Sequence, residues 1–357
     1  MGEQPVPRLI RRPGGSWPPP AARLTDSSRS APSASLQPPR WRRAGTDGSA
    51  KIGDRPVGCV VGTDDGRELA VETAGDPQGR PVFLMHGTPG SRIGPRPRTT
   101  ALYRLGVRLI TYDRPGYGRS GRLPGRRVAD AARDVEAIAD HLGIKRFAVV
   151  GRSGGGPHAL ACAYALPERV TRCASLVSLA PFGAEGLDWF DGMVQSNVDA
   201  YRKASAHGPS ELVPADLVAH APIGGDLGPD DLLRKLDSEW RMSDRQVVKD
   251  AGIRRQLLAS YSEAVRQSEG PPFGWVDDVL ALSDPGGWGF HPKDIDDRRV
   301  GVLLYHGEHD IYSPASHTRW LAERIRHAEL RIDPGVSHFD NLIRLPEILA
   351  WAAGGAD

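Results

Sequence analysis

The chain has 357 residues, a formal net charge of +2 and 25% charged residues, an ordinary balance for a soluble protein and not the strongly basic signature of a nucleic-acid binder. No stretch approaches the roughly 18 consecutive apolar residues that span a bilayer. Three scattered cysteines (Cys59, Cys162, Cys173) show neither zinc-ligand spacing nor a disulfide framework, so free thiols in a reducing, cytoplasmic compartment are expected.

Residues 1–50 are rich in Pro, Arg, Ser and Gly, as in Ser16-Trp17-Pro18-Pro19-Pro20, and lack apolar periodicity. A disordered tail, or a start placed upstream of the true one, is expected. Arg11-Arg12 is not followed by the apolar segment an export signal needs. From Lys51 the pattern changes. Val57–Val61 and Glu68–Glu72 read as strands around the turn Thr63-Asp64-Asp65-Gly66. Pro81–Met85 reads as a buried strand running into His86-Gly87-Thr88-Pro89-Gly90, and Val107–Tyr112 as another ending in Asp113-Arg114-Pro115-Gly116-Tyr117-Gly118-Arg119-Ser120. Val128, Ala131, Val135, Ile138 and Leu142 recur at helical spacing.

The next stretch organises the rest. Phe147-Ala148-Val149-Val150 leads into Gly151-Arg152-Ser153-Gly154-Gly155, and a helical segment from Ala159 follows. Strand, Gly-x-Ser-x-Gly turn and helix form the context of a nucleophile elbow. The motif alone is weak in a chain with 42 glycines. Its context makes Ser153 the candidate nucleophile.

Ala174–Ala180 reads as a further strand, and the next strong one, Val300–Tyr305, comes more than a hundred residues later. The gap exceeds any simple crossover. Helical segments at Leu232–Trp240 and Ile253–Val265 point to an inserted lid over residues 183–275, followed by a helix over 276–284 that returns to the core. Trp189, Trp240, Trp275 and Trp288 either line a pocket there or form a small core. The domain layout expected is therefore a tail (1–50), a core (51–182), a helical lid (183–275) and the rest of the core (276–357). Alternating strands and helices predict an α/β fold with a mostly parallel central sheet, and with chemistry at the carboxyl ends of its strands.

Two more candidates lie downstream. Asp310 falls just past the strand ending at Tyr305-His306-Gly307. After a helix over Ala315–Ile325 and a last strand, Ala328–Ile332, the loop Asp333-Pro334-Gly335-Val336-Ser337-His338 delivers His338. The chain order Ser153, Asp310, His338 is the order of one triad-bearing fold.

With four motifs in this order, the chain from about Pro56 onward resembles the α/β-hydrolase fold superfamily. It is most similar to the lidded branch with a serine nucleophile, related to epoxide hydrolases but lacking their carboxylate nucleophile. The resemblance implies Ser153 as nucleophile, His338 as general base and acid, Asp310 as orienting carboxylate, and backbone N–H groups of Thr88 and Gly154 as the oxyanion hole. It implies a small-molecule substrate, a carboxylic ester, lactone or related acyl compound. A lyase on the same triad and a slow-turnover ligand-binding receptor are the alternatives, and peptidase activity is a minor option. No cofactor, metal, nucleic acid or membrane partner is expected, since Gly-x-x-x-x-Gly-Lys-[Ser/Thr] is absent and acidic residues near the site are few. His86 is expected to shape the oxyanion loop, Asp113 and Arg114 to brace theirs, and Asp340 to support the His338 loop. Glu308 is the weaker rival to Asp310, and neither His158 nor His309 falls in the base position. Arg152 either contacts an anionic group of the substrate or forms a salt bridge.

Overall fold

The computed structural model describes residues 57–354 except 211 and 267–270. The expected tail lies outside the described residues. An eight-stranded sheet runs through the molecule, built from β1 (Val57–Gly62), β2 (Glu68–Gly75), β3 (Arg80–Met85), β4 (Val107–Tyr112), β5 (Phe147–Arg152), β6 (Val170–Leu176), β7 (Gly301–Gly307) and β8 (Glu329–Asp333). Its order is β1-β2-β4-β3-β5-β6-β7-β8, with β1 and β2 antiparallel to their neighbours and all later pairings parallel. The five parallel crossings align the carboxyl ends of β3, β5, β7 and β8 along one edge, where loops can converge.

The alternation of side chains fills both faces. On β3, Phe83 and Met85 join one apolar cluster and Val82 and Leu84 the other. The first face is covered by α2 (Ala131–His141, preceded by a 3₁₀ turn) and α3 (Gly155–Ala165); the second by α1 (Thr99–Arg104) and, later in the chain, the C-terminal helix Asn341–Ala353. Helix α3 is buried from Gly155 to Ala163. Its run of small residues (Gly, Ala, Cys) lets it lie close on the sheet, and so places its N-terminus against the end of β5.

Between β6 and β7 the chain forms α4 (Gln195–His207), α5 (Ala215–Val218), α6 (Pro229–Glu239), α7 (Met242–Val248), α8 (Ala251–Ala264) and α9 (Phe273–Leu282). Then α10 (Ala315–Arg324) separates β7 from β8, and α11 is the C-terminal helix Asn341–Ala353. Helices α6 to α8 carry a cluster of their own, in which Leu232, Leu233, Trp240, Val248, Leu257 and Tyr261 pack with Tyr312 and Phe339 from the loops after β7 and β8.

Two elements differ from the sequence expectation. The strand expected over Ala174–Ala180 is β6, and it runs earlier: Phe147 pairs with Val170, whereas Val177 adopts φ 44° and ends the strand. A β-branched residue in the left-handed region cannot continue a ladder. Helix α9 begins at Phe273 rather than 276, directly after Pro272, whose fixed φ suits a helix start. The four tryptophans divide. Trp189 donates to Ala180 O (3.0 Å) within the main core, Trp288 is fully buried there, and Trp240 belongs to the insertion's cluster. Trp275 lines the cavity beside Ser153.

Candidate active site

The end of β5 is a tight turn because its glycines leave no room for anything larger. A Cβ on Gly151 would lie 2.1 Å from Gly155 O, and one on Gly155 would lie 2.5 Å from His86 O. Between them Ser153 is forced to φ 51°, while its N–H donates to Leu176 O at 2.8 Å. A non-glycine residue held there stores of order 1–3 kcal/mol, tolerated because the surrounding strand and helix over-determine it. The turn sets Ser153 at the N-terminal end of α3, whose first amides have no intrahelical acceptor and favour negative charge.

The loop after β3 closes the site from one side. A Cβ built on Gly154 would sit 2.2 Å from Thr88 Oγ1, so residues 88 and 154 are in direct contact. His86 is buried; its Nδ1–H donates to Gly87 O (2.8 Å) and its Nε2 accepts from the Arg114 N–H (3.2 Å). Burial, together with the neighbouring Arg114 charge, holds its pKa well below the usual imidazole value. His86 is a neutral brace for this loop, as expected from the sequence. Asp113 likewise binds backbone, accepting from Arg92 N–H (2.7 Å) and Arg119 N–H (3.1 Å).

His338 and Asp310 arrive from the loops after β8 and β7. His338 Nδ1–H donates to Asp310 Oδ2 at 2.7 Å, which leaves Nε2 uncommitted to that carboxylate, and both His338 and Ser153 line one cavity. Asp310 is 4% exposed and also accepts from the amides of Tyr312 (2.8 Å) and Ser313 (3.1 Å). Burial alone would raise its pKa, but the His338 charge and the hydrogen bonds from His306 and His338 carry it well below the carboxylate range. The His338 loop is clamped in turn: Asp340 accepts from Ser337 N–H (2.9 Å), Asp244 of α7 accepts from Phe339 N–H (2.7 Å), and Asn341 donates to His338 O. The rivals lie apart. Glu308 is exposed and lies 4.0 Å from Arg319, His309 is exposed, and His158 is buried with its Nδ1–H donating to Gly154 O (2.7 Å).

The sequence reading passed over Asp278 on α9. It is fully buried and accepts from Thr88 Oγ1 (2.5 Å), Arg114 (2.5 Å), Arg126 (2.6 Å) and Tyr117 OH (2.8 Å). Arg114 also donates to the carbonyls of His86 and Gly87, so one carboxylate fixes the loop that carries Thr88. Burial opposes its charge, but Arg114 and Arg126 hold the carboxyl well below its ordinary range. The only trace in the sequence is an aspartate inside the apolar run Trp275-Val276-Asp277-Asp278-Val279-Leu280.

A family model described as "alpha/beta hydrolase fold" matches residues 80–345, from β3 to the start of α11. The chain belongs to the α/β hydrolases. Among curated relatives, this α/β hydrolase is 26% identical to a non-heme haloperoxidase from Rhodococcus erythropolis over 281 residues, which is 78% of this chain and 92% of that protein. It is 33% identical to a proline iminopeptidase from Xylella fastidiosa over 300 residues, 78% of this chain and 90% of that one. Among solved structures, the esterase RhEst1 from Rhodococcus sp. ECU1013 superposes with a TM-score of 0.58 at 18% identity, over 84% of this chain and 99% of that one, a likeness of fold.

Proposed function

We propose that this α/β hydrolase cleaves a small carboxylic ester or lactone through an acyl-enzyme on Ser153. The observation that carries the reading is the 2.7 Å His338–Asp310 hydrogen bond in one cavity with a serine held at φ 51°. A serine hydroxyl is a poor nucleophile until an imidazole removes its proton during attack. His338 Nε2 takes that proton and returns it to the leaving alcohol, while Asp310 keeps the ring in one tautomer and stabilises its transient charge. Attack moves negative charge onto the former carbonyl oxygen, between the amides of Thr88 and Gly154. Losing one such donor typically costs about a hundredfold to a thousandfold in rate. Water then repeats the sequence on the acyl-enzyme, with His338 as base again. In this reading helices α4 to α8 act as a lid, supplying Tyr201, Leu257 and Tyr261 to the cavity wall beside Trp275 of α9. The three unpaired cysteines suit a reducing compartment.

The test is a stopped-flow assay of a short-chain 4-nitrophenyl ester with wild type and Ser153→Ala. A burst of nitrophenolate in wild type alone is expected. Turnover that survives in the variant would sink the assignment. One observation favours a second reading as an aminoacyl amidase: Glu239 lines the same cavity, and its buried Oε2 has no hydrogen-bond partner among the described residues. Proline 4-nitroanilide, run beside the ester, separates the two.

A further inference from the structure

Of the three arginines buried among the described residues, Arg114 and Arg126 are answered by a carboxylate, sharing Asp278. The half-buried Arg92 reaches Asp113 and Glu263, and half-buried Arg67 meets Asp134 at 2.9 Å. Arg152 is the exception. It is 7% exposed, yet no carboxylate lies within ion-pair distance of it among the described residues. Its Nε–H donates to Asn341 Oδ1 at 2.7 Å, and the same amide donates to the His338 carbonyl. The two terminal nitrogens have no partner among the described residues, and Arg152 lines the cavity together with Ser153 and His338. Glu239, the cavity's own carboxylate, lies against Tyr312 instead, where its charge adds to burial in raising the Tyr312 hydroxyl. Arg92 and Lys235 also line the cavity, but the first is committed to its carboxylates and the second is exposed.

A buried cation without a counter-ion is costly to folding. Burial lowers the Arg152 pKa to about 10, which still leaves the group charged at neutral pH. A charge kept in the wall of a cavity without a partner from the protein is complemented by an anion entering that cavity. The open end of a guanidinium offers two parallel N–H donors, the spacing that a carboxylate accepts. The residue stands immediately before Ser153, and the acyl half of a substrate is the half that stays tethered there after the alcohol leaves.

We propose that Arg152 binds a carboxylate on the acyl part of the substrate, so that this hydrolase acts on half-esters or lactones of dicarboxylic acids. The inference rests on the serine-hydrolase reading above. The test compares 4-nitrophenyl hydrogen glutarate with its neutral methyl ester, in wild type, Arg152→Gln and Arg152→Lys. A charge-assisted hydrogen bond is worth roughly tenfold to a hundredfold in affinity. Wild type should therefore prefer the anionic ester in kcat/KM by about that factor. The preference should vanish in Arg152→Gln and recover in part in Arg152→Lys. A loss common to both esters, which disturbance of the His338 loop through Asn341 would cause, divides out of this ratio. No preference in wild type, or one that survives in Arg152→Gln, overturns the proposal.

A second measurement is independent of turnover. Calorimetric titration of Ser153→Ala with monomethyl glutarate should give a Kd at least about tenfold tighter than that of Ser153→Ala/Arg152→Gln. Equal affinities overturn the proposal. Failure of the serine reading looks different: neutral-ester turnover persists in Ser153→Ala while the calorimetric difference remains.

Discussion

Asp278 and Asp310 are both buried, both fully hydrogen-bonded and both held below the ordinary carboxylate range, yet they sit in opposite kinds of company. Around Asp278 the counter-charges are Arg114 and Arg126, guanidiniums that keep their protons at any physiological pH. Around Asp310 they are His338 and His306, imidazoles, the side-chain type whose charge changes near neutrality. The first arrangement has one state and makes scaffold. The second is the kind of arrangement that the proposed general-base chemistry would use. On the proposed reading, burial and low pKa do not distinguish a working carboxylate from a structural one; the partner does.

Removing each carboxylate in turn puts this contrast to the test. Asp310→Asn should lower kcat by about ten-thousandfold, because the amide stabilises the wrong imidazole tautomer, with only a small change in unfolding midpoint. A loss of less than about a hundredfold would break the comparison. Asp278→Ala should act on stability, leaving two buried guanidiniums without their anion. A loss of roughly 3–5 kcal/mol in urea unfolding is expected for breaking a buried ion pair.

The pH dependence of that loss follows from the direction of the Asp278 shift. Its folded pKa is depressed, so its stabilisation is present above the unfolded value of about 3.9 and is lost as pH falls through the lower folded value. The difference in unfolding free energy between wild type and Asp278→Ala should be flat from neutral pH to about pH 5, then shrink below about pH 4. A difference that shrinks already between pH 7 and 6 contradicts the depressed pKa. The smallest effect belongs to Glu308, an exposed carboxylate at 4.0 Å from Arg319. Glu308→Gln should change stability by less than about 1 kcal/mol, as for other surface pairs, and leave ester turnover within about twofold. A large activity loss there would reopen the choice of triad acid.

The same contrast explains what the sequence made legible. Ser153, Asp310 and His338 could be put forward as candidates in advance because serine-hydrolase chemistry would demand particular residue types at particular strand ends, and local patterns mark those ends. The structure brings Asp310 and His338 together at 2.7 Å and sets Ser153 in the same cavity. Asp278 could not be read this way. Its partners Thr88, Arg114, Tyr117 and Arg126 lie more than 150 residues away in the chain, and nothing local to α9 says that four donors will converge on it. The sequence alone places strand β6 too late because Ala174–Ala180 is mostly apolar, broken only by Ser175 and Ser178, and only pairing with β5 shows where the ladder stops. The role of Arg152 was open between two readings for a similar reason: the absence of a carboxylate partner is a property of three-dimensional surroundings.

Tyr312 and Phe339 belong at once to the loops flanking Asp310 and His338 and to the apolar cluster of α6, α7 and α8. The wall of the cavity and the machinery within it therefore share side chains, and Asp244 of α7 adds a hydrogen bond to Phe339. Anyone transplanting these helices onto a related hydrolase to change its selectivity would have to carry both aromatics with them. A seam cut at the ends of the insertion divides a packed unit, and the recipient would inherit a loosened His338 loop together with its new pocket.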